Sequence, residues 1–146
     1  MRKAVLIILA ALVILVFGSC KDSSTGPSPQ GLTGTWQATK AEYVSVANPS
    51  TKVDIVAQGS TVTLVLDTST FTLTITDPGK APKVTTGTWT STTDTMTLEP
   101  SGMSGGWTFD MTLSGNTLTL SGANVLFDFG GTGTVQDAKL NLVLTR

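Results

Sequence analysis

The chain has 146 residues, with 9 Lys and Arg against 10 Asp and Glu, and no His. Its length suits one small domain, and its charge leaves no cationic footprint for nucleic acid. Without His, a triad with an imidazole base, His metal ligation and an imidazole pH switch are all excluded.

The N-terminus places Arg2 and Lys3 before an apolar run from Ala4 to Phe17, which leads into Val16-Phe17-Gly18-Ser19-Cys20. That run is short for a membrane span, which needs about 20 apolar residues. Small Gly18 and Ser19 sit directly before the single cysteine. These residues resemble the lipobox of bacterial lipoproteins, with a basic n-region, an apolar h-region and cleavage before the Cys. The resemblance implies a cleaved signal peptide over residues 1–19 and an acylated thiol (diacylglyceryl, with palmitate-like chains) on Cys20. It also implies a protein held at the bacterial cell envelope by that membrane anchor. An uncleaved transmembrane anchor, or ordinary cleavage leaving a free thiol, are the alternatives. Cleavage would remove Arg2 and Lys3, leaving 7 basic against 10 acidic residues and a charge of about −3.

Residues 20–31, Cys20 followed by KDSSTGPSPQG, form a Ser/Pro/Gly tether that spaces the domain from the bilayer. In Gram-negative lipoproteins an Asp after the lipidated Cys favours inner-membrane retention. Lys21 stands there, so the resemblance favours the outer membrane if the source is Gram-negative.

Residues 32–146 form the domain. Thr supplies about a fifth of the chain after residue 19, which suits strands. A first strand-like run opens at Leu32-Thr33-Gly34-Thr35-Trp36 and continues to about Val46. From Ala47 to Gly59 the pattern breaks into a long connection, expected to carry a short strand or helical turn over one end of the domain. Beyond it the apolar residues alternate with Thr. Val62, Leu64 and Leu66 share one face, and Phe71, Leu73 and Ile75 share the next. Trp89, Met96 and Leu98 follow, then Trp107, Phe109, Met111 and Leu113, then Leu118 and Leu120. Val125, Phe127 and Phe129 read as a separate set, and Leu140, Leu142 and Leu144 close the chain. Turn signals stand between them at Asp67-Thr-Ser, Asp77-Pro-Gly, Thr93-Asp94, Ser114-Gly-Asn and Ser121-Gly-Ala-Asn.

This pattern predicts an all-β fold, an antiparallel up-and-down meander closed into a small barrel of about 8–10 strands. A two-sheet β-sandwich is the alternative. Closure buries every apolar face and removes exposed edges. A membrane-embedded barrel is disfavoured, because most runs are shorter than the 9–11 residues such strands need. Thr33-Gly34-Thr35-Trp36 recurs as Thr86-Gly87-Thr88-Trp89, with Thr132-Gly133-Thr134-Val135 close to it. The echo reads as similar strand entries.

Gly34-Thr35-Trp36 on the first strand, the long first connection, the meander and a late Arg146 together resemble the bacterial lipocalin-like domains. The resemblance implies that Trp36 lies at the closed barrel end beneath Arg146 as a cation–π lid, with Gly34 beside it. It further implies that the first connection partly covers the open end.

The expected function is therefore an envelope lipoprotein whose barrel binds a small hydrophobic ligand. The candidate interior is Phe71, Trp89, Met96, Trp107, Phe109 and Phe127, apolar and aromatic as ligand pockets are. Bulky residues on nearly every strand favour the same set filling the barrel as a packed core. The alternative function is a non-catalytic structural or protein-interaction module of the envelope, with no protein partner legible. Glu42, Glu99, Asp110 and Asp128 share no motif for acid–base work, so no enzyme and no catalytic residue are expected. Asp128-Phe129-Gly130-Gly131-Thr132-Gly133 offers one carboxylate where calcium takes several oxygens, so it reads as a Gly-rich hairpin. No metal and no cofactor are expected.

Overall fold

A computed structural model describes residues 29–146. The leader, Cys20 and the tether up to residue 28 lie outside the described residues. A helical turn, α1 (Pro29–Leu32), opens the described chain. Nine strands follow: β1 (Gly34–Ser45), β2 (Lys52–Asp54), β3 (Thr61–Leu66), β4 (Thr70–Thr76) and β5 (Lys83–Ser91), then β6 (Thr95–Pro100), β7 (Trp107–Ser114), β8 (Thr117–Phe127) and β9 (Gln136–Thr145). All pairings are antiparallel. β1 and β3 to β9 run in sequence order, and pairing of β1 with β9 closes them into an eight-stranded barrel. The extra strand, β2, pairs with β1 at Glu42–Val44, beyond the stretch Gly34–Gln37 that pairs with β3.

Alternation produces this barrel directly. Val62, Leu64 and Leu66 of β3, and Phe71 and Leu73 of β4, point inward and are buried, while the intervening Thr residues face outward. Strand after strand contributes to one core. Burying a Leu or Phe side chain is worth about 1.5–3 kcal/mol, so the closed sheet is held chiefly by its interior.

Two bulges break the alternation. In β1 the register slips between Ala38 and Lys40, so Thr39 is an extra residue. Inward positions change from Trp36 and Ala38 to Ala41, Tyr43 and Ser45. In β8 it slips between Leu120 and Ala123. Ser121-Gly-Ala-Asn is therefore not the turn its composition suggests. Gly122 takes a φ of 87°, its N–H donates to Asn141 Oδ1 at 2.9 Å, and its carbonyl accepts from Lys139 Nζ at 3.1 Å. Both polar groups of the bulge are satisfied by β9 side chains, so one strand continues where two were expected.

The Thr-Gly-Thr-Trp echo also resolves into unlike parts. Gly34 opens β1 with a φ of 131°. Gly87 lies inside β5, as its fifth residue. Thr132-Gly133-Thr134-Val135 lies in the connection before β9. Only the first is a strand entry, because the glycines meet different steric demands.

Candidate functional site

The barrel has two unlike ends. At one lie the short β3–β4, β5–β6 and β7–β8 turns and the C-terminus. Here Trp36 is fully buried, and its Nε1–H donates to the Leu32 carbonyl at 2.8 Å. The Arg146 guanidinium carbon lies 4.5 Å from the Trp36 ring centroid. Its Nη1 donates to the Thr33 carbonyl at 3.1 Å, and the Arg146 backbone N–H donates to the Asn116 carbonyl at 3.2 Å. Gly34 passes close by, since a Cβ there would lie 3.9 Å from Arg146 Nη1. Phe71, Met96, Phe109 and Leu118 fill the interior above, each at most 2% exposed. This end is packed shut.

The other end gathers the long connections. Its interior holds a cleft of about 440 Å³ lined by Tyr43, Leu73, Ile75, Thr85, Trp107 and Leu140. A second cleft of about 520 Å³ shares Tyr43 and Ile75 and adds Phe127, Ser60, Asp77 and Lys83. Ligand sites commonly span about 300–1,000 Å³, so either volume suffices for a small organic guest. The space exists because β6 stops at Pro100. Apart from Met103, the following Ser-Gly-Met-Ser-Gly-Gly connection offers small residues where a longer strand would aim bulky ones inward.

The six candidate interior residues divide between the two ends. Trp107 and Phe127 line the clefts, half-buried. Phe71, Trp89, Met96 and Phe109 are buried in the core, and neither cleft touches them. Trp89 is further fixed by an Nε1–H bond to the Asp67 carbonyl at 2.8 Å. Alternation did not single out Tyr43, which stacks on Phe127 at 3.9 Å between centroids and 17° between planes. Phe127 also meets Phe129 edge-on at 5.0 Å. Burial, helped by the nearby Asp77 charge, pushes the Tyr43 hydroxyl above its ordinary range. Tyr43 is thus a neutral wall of the cleft.

The first connection sits at this end. Asp54 Oδ1 accepts from the Ala41, Val56 and Ala57 N–H groups, which ties the turn after β2 back onto β1. Ile55 then enters the core, 7% exposed, beside the point where β1 leaves β3. Ser60 Oγ donates to Asp77 Oδ1 at 2.9 Å, and Lys83 Nζ lies 3.2 Å from Asp77 Oδ2. The Ser60 bond first, then Lys83 and Lys80, hold the Asp77 carboxyl below its usual range. Such a group stabilises the fold above the ordinary carboxylate range and loses that contribution as pH falls through its lowered value. Asp77→Asn should therefore lower the urea midpoint at pH 7. The gap to the parent should shrink as pH falls below about 4 and vanish in stronger acid.

Of the four acids, Glu42 lies on β1 and pairs with Lys40 at 3.0 Å, Glu99 lies on β6 and Asp110 on β7. Asp128 sits in the β8–β9 connection, where its carboxylate accepts from Gly133 N at 2.6 Å and Gly130 N at 3.1 Å. These backbone N–H groups, Gly133 foremost, lower its pKa. Among the described residues no three His, Cys, Asp or Glu gather as metal ligands.

A family model described as "Lipocalin-like domain" matches residues 32–120. No curated protein and no solved structure matches the chain.

Proposed function

The chain belongs to the lipocalin-like domain family, and from that premise we propose that it is a binder rather than a catalyst, taking one small hydrophobic ligand at the open barrel end. The observation that carries this reading is the contrast between a filled closed half and the 440 Å³ cleft above it. Leu73, Ile75, Trp107 and Leu140 give the cleft an apolar wall, while Thr85, Asn124 and Asp137 lie on its margin. An elongated guest with an apolar body and one polar end fits that distribution. We further propose that the protein is a bacterial envelope lipoprotein anchored through Cys20, and in the outer membrane if its source is Gram-negative. The basis is the leader pattern of residues 2–20.

A fluorescent fatty acid titrated into the whole chain should saturate at one per barrel. Leu140→Trp, which fills the cleft, should weaken binding by about tenfold or more, equal to about 1.4 kcal/mol. Binding that Leu140→Trp leaves unchanged would place the guest elsewhere. For the anchor, Cys20→Ala should leave an unprocessed precursor that takes up no labelled fatty acid. Label retained in that variant would remove the lipobox assignment.

A further inference from the structure

Six large apolar side chains are exposed among the described residues: Val46, Val65, Val84, Met103, Leu126 and Val135. All but Val65 stand at the open end. Val46 follows β1 and its N–H donates to the Asp137 carbonyl at 3.0 Å. Leu126, 65% exposed, is the register partner of Asp137 across β8 and β9. Val135 immediately precedes β9. Two of these are tied to Asp137 and the third lies two residues before it, and Met103 lines the same cleft as Leu126. Val84 lies on the outer wall, next to cleft-lining Thr85.

The barrel wall is also open here. β7 pairs with β8 only from Asp110–Ser114 to Thr117–Ser121. Beyond the Gly122 bulge, β8 follows β9 alone and leaves β7 at 107–109 without a partner on that side. Asn124 and Leu126, outward positions of β8, therefore share the cleft margin with inward Trp107 and Leu140. The cleft opens sideways, with exposed Met103 and Leu126 on its margin.

We propose that this rim docks on a lipid surface, and that the slot between β7 and β8 passes the guest between bilayer and barrel. Scattered exposed apolar residues need no explanation, but five gathered at one end of the barrel, two of them lining its cleft, mark a contact face. A lipid surface is the cover that can also supply or receive an apolar occupant. The charges lining the two clefts are Asp77, Asp128 and Asp137 against Lys80 and Lys83. With no cationic excess, docking rests on apolar insertion and not on anionic lipid.

The chain before the domain can reach. Nine residues from Cys20 to Ser28, before α1, extend at most about 30–32 Å. Strands such as β7 and β9, of 8 and 10 residues, tilted about 40°, make a wall roughly 20–25 Å tall. Although the described chain starts at the closed end, the open end can therefore meet the same bilayer. This reach rests on the anchoring proposed above; the patch and the slot do not.

The test places the whole chain on phosphatidylcholine vesicles with brominated acyl chains, which quench indoles that dip among them. Co-flotation reads the anchor, and quenching at a chosen position reads the rim, so the two can fail separately. Added fluorescence in Leu126→Trp should fall to about half or less, because an interfacial apolar face lies within about 5–10 Å of the acyl boundary. That in Val65→Trp should not change. Adding Met103→Ser and Val135→Ser to Leu126→Trp should abolish the quenching, and high salt should leave it intact. Equal or absent quenching at 126 and 65 in a co-floating chain overturns the proposal. So does a concentration-dependent blue shift without lipid, which would put a second copy on the face.

Discussion

Trp36→Ala should lower the unfolding free energy by about 3–5 kcal/mol, the usual range for emptying a large aromatic site in a core. Three losses coincide. The fully buried indole leaves a cavity beside Leu32 and Leu64, which are themselves fully buried. The Leu32 carbonyl loses its 2.8 Å donor. Arg146, 4.5 Å above the ring, loses the face it covers. Since small domains are stable by only about 5–15 kcal/mol, much of the population could unfold near physiological temperature. Urea midpoints read the effect. Trp36→Phe keeps most of the packing and orphans the carbonyl, so about 1–3 kcal/mol should be lost. Arg146→Ala should lose about 1 kcal/mol, because its guanidinium is exposed. A change below 1 kcal/mol for Trp36→Ala would mean that the closed end does not hold the barrel together.

Gly87→Ala should be nearly as damaging, by about 3 kcal/mol, the upper end for overpacking. No unusual φ is involved; the demand is for space. A Cβ would stand 2.0 Å from the Glu99 carbonyl oxygen and 2.8 Å from Phe71 Cε1. Gly87 pairs with Phe71 on one side and Pro100 on the other, so relief requires β5 to part from a neighbour. Gly79→Ala is the contrast. It has open space around it but a φ of 69°, and should lose only about 1 kcal/mol through backbone strain. Equal losses at both positions would contradict the close approach at β5.

The meander is legible because Thr and apolar residues alternate with period 2, and a one-residue shift would expose a whole apolar face. The bulges are not legible. One extra residue at Thr39 leaves no mark in composition, yet it turns Tyr43 from an outward position, counted from Trp36, into a wall of the cleft. The Ser121-Gly122 bulge uses turn residues, so pattern alone divides β8 into two strands and hides the slot. Gly87 carries the signal of a strand entry, but the need it meets comes from Phe71 and Glu99, far away in sequence. Trp36 and Arg146 are named through family resemblance, since no spacing rule links positions so far apart. Six aromatic and Met positions read from the sequence as one interior. Their division between a packed end and an open one depends on where β6 stops, which follows from Pro100 and the glycines after it.

The most direct measurement uses the three tryptophans as reporters at different heights in the barrel. In a proton–nitrogen correlation spectrum of the whole chain, each gives one indole N–H signal. On titration with palmitate, the Trp107 signal should move and saturate at one equivalent, because its ring lines the cleft. The Trp36 signal should stay in place, held by Leu32 and covered by Arg146. Movement of Trp36 as large as that of Trp107, or no movement of any indole up to the solubility limit, would contradict a barrel closed at one end and open to a guest at the other.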